Sequence, residues 1–77
     1  MNPTPLRARH RQHLMDAGAC HALGDTGTRD LLAHLAAGLR FALRACGHDA
    51  DTEERLATGL QREWAAADAH VAVRGWV

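Results

Sequence analysis

Changes in the spacing of apolar positions divide the chain into four stretches. Leu6, His10, His13, Leu14 and Ala17 fall on one side at helical spacing. Thr4 offers a cap, Pro5 a first helical position and Gly18 a stop, so a short N-terminal helix is predicted. From Ala19 to Thr28, the glycines at 24 and 27 with Asp25 and Thr26 read as a flexible connection. Thr28 is the expected cap of a second helix, with Asp30 in its positive first turn.

In that second helix Leu32, Leu35, Leu39, Leu43 and Cys46 lie on one side. His34, Gly38, Phe41 and Ala45 continue that side around the cylinder, and Arg29, Arg40 and Arg44 cluster opposite. The apolar arc spans roughly 200°, wider than the stripe that covers one neighbour. A single helix of the same chain would hide only part of it, which points to self-association. Gly47 suits a left-handed stop, and Asp51-Thr52-Glu53-Glu54 resembles a capping box. Leu56, Leu60 and Trp64 then recur every four residues, so the second and third helices should form an antiparallel hairpin. After Asp68 the period falls to two: Val71, Val73 and Val77 alternate with His70, Ala72, Arg74 and Trp76. A lone strand is unstable in water, so this one is expected to pair with a second copy.

Composition sharpens the case for a partner. In a chain of 77 residues, the 47% hydrophobic fraction leans heavily on alanine, and only Phe41, Trp64 and Trp76 are aromatic. A core of that size and kind supplies little stability alone. Nine arginines balance nine acids, but unevenly: Arg7, Arg9 and Arg11 mark the start, whereas Asp51, Glu53 and Glu54 crowd the entrance to the third helix. Three arginines are too few for a nucleic-acid patch. No leader-like or membrane-length apolar run is visible, so a cytoplasmic location with Cys20 and Cys46 as free thiols is expected.

The order of these elements resembles the N-terminal dimerisation domain of the Mor family of phage transcription activators. Arg29-Asp30-Leu31-Leu32 with Leu35 and Leu39 carries the likeness, followed by Leu56, Leu60, Arg62-Glu63-Trp64 and His70-Val71-Ala72-Val73-Arg74-Gly75. It covers about fifty residues of a common hairpin architecture. It implies helices interleaved between two protomers and strands paired across the twofold. Ala65-Ala66 stands where the family has Gly-Gly, the strand lacks the usual aromatic and proline, and the DNA-reading helix-turn-helix does not carry over.

Candidate chemistry is sparse. His10, His13, Cys20, His21, Cys46 and His48 are residue types zinc accepts, but their spacing fits no standard finger, and apolar or half-buried roles suit them better. Asp25-Thr26-Gly27 is the triplet of retroviral-type aspartic proteases, whose chemistry needs two such aspartates in a β-rich dimer. Between helices it reads as a loop leading into the second one. His34 among leucines reads as a buried, hydrogen-bonded histidine, and the chain has no serine for it to activate. Cys46 at a helix C-terminus sits where the dipole disfavours thiolate.

The sequence thus predicts a mainly α fold, with residues 1–28 as a basic arm and residues 29–77 as a helix-hairpin-strand dimerisation domain. Leu32, Leu35, Leu39, Phe41, Leu60, Trp64, Val71, Val73 and Trp76 are the expected homodimer contacts. Arg7, Arg9 and Arg11, with Asp51, Glu53 and Glu54, are the surfaces expected to meet a protein partner. The expected role is a non-enzymatic phage-type regulator without metal or cofactor. An anti-CRISPR-like inhibitor of host defence, or a DNA-binding regulator using the arginine arm, are the alternatives.

Overall fold

A computed structural model describes the backbone of residues 2–74 and the side chains of residues 2–72. It contains three helices, α1 (Thr4–Ala22), α2 (Thr26–Ala45) and α3 (Asp51–Arg74). They run up, down and up as a three-helix bundle. Among the described residues there is no strand.

Both turns solve the same problem identically. Gly24 and Gly47 each adopt φ +80°, a left-handed conformation that costs other residues energy. After α1, the Asp25 N–H donates to the Cys20 carbonyl at 2.9 Å and the Gly24 N–H to His21 at 3.1 Å. After α2, His48 donates to Leu43 at 2.9 Å and Gly47 to Arg44 at 3.0 Å. These are the paired bonds of the Schellman motif, which satisfy the last free carbonyls of each helix.

Gly18 therefore does not stop the first helix. Ala19-Cys20-His21-Ala22 continue it, and the expected connection from 19 to 28 shrinks to Leu23, Gly24 and Asp25. Asp25 rather than Thr28 caps α2, its carboxylate accepting the Thr28 N–H at 3.1 Å. The Thr28 side chain first, and then this backbone bond, hold the Asp25 carboxyl below its ordinary pKa. Asp25-Thr26-Gly27 is thus a loop leading into a helix. At the second turn the side chain of Asp49, not Asp51, accepts the first free N–H, that of Asp51, at 2.9 Å.

The C-terminal stretch differs most from expectation. His70 to Arg74 continue α3 instead of forming a strand. The run Ala65-Ala66-Ala67-Asp68-Ala69 carries strong helix propensity up to the valines, and a helix satisfies its own backbone where a lone strand cannot. Gly75, Trp76 and Val77 lie outside the described residues.

Each helix contributes a seam of residues spaced four and three apart. On α1 it is His10, Leu14, Ala17 and His21; on α2, Arg29, Ala33, Ala36, Arg40 and Leu43; on α3, Glu53, Ala57, Leu60 and Trp64. The apolar centre has two layers, Leu14–Ala36–Ala57 and Ala17–Ala33–Trp64, with Leu60 packed against both. Alanines let helices approach closely but bury little area. The result is long and thin, 53 × 18 × 13 Å, with a radius of gyration of 14.1 Å. A compact domain of this length would have a radius of gyration of about 11–12 Å.

Candidate interaction surface

Charge occupies both ends of the bundle interior. Arg29, 4% exposed, directs every donor of its guanidinium at an acceptor. Nη1 and Nη2 donate to the two carboxylate oxygens of Asp68 at 3.1 and 2.8 Å. Nε and Nη2 reach Asp30 Oδ1 at 2.8 Å, and Nη1 meets His21 Nδ1 at 2.9 Å. Because arginine only donates, the His21 nitrogen is the acceptor. The guanidinium also lies 5.6 Å from the Trp64 ring centre, and His21 tilts against the same ring. The hydrogen bond from Arg29 holds the Asp68 carboxyl below the usual carboxylate range.

At the opposite end Arg40, 7% exposed, bonds Glu54 Oε2 through Nε at 2.8 Å and His10 Nε2 through Nη1 at 3.1 Å. His10 is fully buried, and its Nδ1 has no hydrogen-bond partner. Burial first, and then the neighbouring Arg40 charge, lower its pKa from the usual histidine value. Glu53, also buried, accepts from Arg11 at 3.0 Å and stands 3.9 Å from Arg7 Nε. Arg7 donates to the Asp49 carbonyl at 2.9 Å.

Those bonds explain why Arg29 and Arg40 lie inside, where the pattern placed them with Arg44 opposite the apolar side; Arg44 stays exposed. Acidic and histidine acceptors on α1 and α3 meet them in antiparallel order: His21 and Asp68 at Arg29, His10 and Glu54 at Arg40. Buried guanidinium needs such partners, and here it has them. With its inner seam given to arginine and alanine except at Leu43, α2 leaves several large apolar side chains on the outside. Leu31 is 58% exposed, Leu35 46% and Phe41 76%. Gly38 lies between them, and a methyl group added there would meet nothing within 4 Å. His34 shares this face and is exposed, not buried as its leucine neighbours suggested.

The expected contact residues scatter. Leu35 and Phe41 lie on the outer face, and Leu32, Leu39 and Leu60 are half-buried at its flanks or in the core. Trp64 is buried within the protomer, and Val71 is exposed on the last turns of α3. Val73 lies on that helix with its side chain outside the described set, and Trp76 is outside altogether. Among the expected partner contacts, Glu53 is buried and binds Arg7 and Arg11 internally, while Arg9, Asp51 and the half-buried Glu54 line the surface or its edge. Leu31 and His34 also lie on the outer face, although neither is among the expected contacts. The complementary spacing of Arg29 and Arg40 with histidines on α1 and acids on α3 is the feature of the sequence that turns this side outward.

No protein-family profile, curated protein or solved structure matches this chain. The surface must therefore be read on its own chemistry. Among the described residues no three His, Cys, Asp or Glu side chains gather as a metal site, and no helix is long and apolar enough to cross a membrane. Cys20 and Cys46 are free thiols. A second apolar groove of about 380 Å³ runs between α1 and α3, lined by Leu14, Met15, Leu56 and Leu60.

Proposed function

We propose that this protein is a small non-enzymatic interaction module that homodimerises and acts by binding another protein, in the manner of a phage or prophage regulator. The observation that carries this reading is the outer face of α2. In a three-helix bundle that face meets water and is ordinarily polar; here it presents Leu31, Leu35 and Phe41. The accessible surface of 5290 Å² points the same way, since a compact monomer of 8.3 kDa would expose about 4,600 Å².

The Mor-like reading assigns dimerisation to the residues of α2 and α3 that carry the resemblance. Its helical part accords with the bundle. Strand pairing across the twofold would require Val71–Val73 to leave the helix they occupy, so the helical face is the better-supported contact. The groove beside Met15 and Leu56 is the surface we assign to a protein partner. A DNA-reading role for the N-terminal arginines is disfavoured, because Arg7 and Arg11 are engaged by Asp49 and Glu53.

Light scattering tests the reading. The wild type should show twice the 8.3 kDa monomer mass, and Phe41→Glu should return it to monomer with its helical circular dichroism intact. A wild-type monomer at every concentration would refute self-association.

A further inference from the structure

We infer that two copies associate through α2 in antiparallel register, with the twofold passing beside Gly38; this deepens the dimer reading above and rests on it. At 100° per residue, Leu31, His34, Leu35, Phe41, Ala42 and Ala45 all lie within about 60° of the direction of Gly38. They are also symmetric about it in sequence: 31 and 45 stand seven residues away, 34 and 42 four, 35 and 41 three. A twofold perpendicular to α2 exchanges the two members of each pair. An isologous contact needs such a self-complementary patch.

The shapes fit this operation. Leu31 of one copy stands level with Ala45 of the other, so a large side chain meets a small one. Leu35 falls beside Ala42 of the second copy, and His34 lies along the same edge as Phe41. Gly38 meets itself, and the open space above it permits close approach of the two backbones.

Charge selects the antiparallel direction. Asp30 and Arg44 lie on the same flank of the stripe, eight residues before Gly38 and six after it. The antiparallel register brings Asp30 of each copy beside Arg44 of the other. Arg29 holds Asp30 through Oδ1 and leaves that side chain 67% exposed, and Arg44 reaches its own Asp51 and Glu54 only at 3.8 and 3.7 Å. A parallel pair would carry Asp30 and Arg44 of the second copy to the opposite flank of the contact, losing both charge pairs, and would align the helix dipoles unfavourably. The protomer as a whole exposes about 700 Å² more than a compact chain of its mass, and the exposed Leu31, Leu35 and Phe41 are the part of that surface lying on this stripe.

Cysteine cross-linking tests the register in a chain whose own thiols are removed by Cys20→Ala and Cys46→Ala. Under mild oxidation Gly38→Cys should form a disulfide-linked dimer. Leu31→Cys and Ala45→Cys should not cross-link alone but should do so when two differently tagged chains are mixed. The mixed pair leaves Gly38 in place, so it decides the matter if a side chain at 38 disturbs packing. Cross-linking of Leu31→Cys with itself would overturn the antiparallel register while leaving a dimer. A dimer by sedimentation with no cross-link at any of these positions would place the contact elsewhere and overturn the inference. A monomer by sedimentation would remove both the register and the reading on which it rests.

Discussion

On its inner face α2 presents Arg29, Ala33, Ala36, Arg40 and Leu43; on its outer face it presents Leu31, Leu35, Gly38 and Phe41. The first set contains two of the chain's most buried charges, the second several of its most exposed large apolar groups. Burying arginine is tolerable because Asp68, Glu54, His10 and His21 supply acceptors at matched positions. Exposing leucine and phenylalanine has no such internal compensation. One face of the helix is covered within the protomer and the other is exposed.

Substitutions should separate the faces. Leu43→Ala, on the inner seam and fully buried, should cost about 2–5 kcal/mol and leave little folded protein by chemical denaturation. Phe41→Glu should leave the folded protomer helical yet weaken self-association by about 2 kcal/mol, roughly thirtyfold in dissociation constant by sedimentation. Equal damage to the monomer from both would erase the distinction.

Glycines sharpen it further. Gly47→Ala forces a side chain into a left-handed turn and should cost about 1–2 kcal/mol. Gly18→Ala, within α1 and with nothing near its added methyl, should stabilise by about 0.5–1 kcal/mol in thermal unfolding.

The smallest effect expected is on pH dependence. The folded-state pKa of His10 lies below its unfolded value, so below pH about 6.5 the unfolded chain binds a proton that the folded chain refuses. Stability should be full above that pH and fall through the window down to the lowered folded value. Arg40 and Arg11 oppose protonation there, while Glu53 and Glu54 favour it. His10→Gln, which retains an acceptor for Arg40 without titrating, should flatten this part of the profile. A second loss should follow below pH about 4, where the unfolded chain protonates Asp68 and the folded chain holds its carboxylate against Arg29.

Much of this was legible in the pattern. The α2–α3 hairpin, the Gly47 stop and the α1 face of His10, Leu14 and Ala17 all follow from local periodicity and turn chemistry. The length of α1 did not, because a glycine inside a helix resembles one that ends it until the capping bonds are seen. The inward arginines did not either, since apolar periodicity assigns charge to water unless partners on other helices are considered together. The valine-rich end was misread because alternation is a local signal, and the alanine run before it propagates helix. Within the outer face, Leu35 and Phe41 were foreseen from the width of the apolar arc, and Leu31 was not.

If a second copy covers the outer face of α2, the unfolding midpoint depends on protein concentration. For the wild type it should rise steadily as concentration is taken over about two orders of magnitude, because association stabilises the folded chain by mass action, whereas Phe41→Glu should show a constant midpoint. A wild-type midpoint that does not move, with a mass of 8.3 kDa throughout, would show that the outer face of α2 stays open to water.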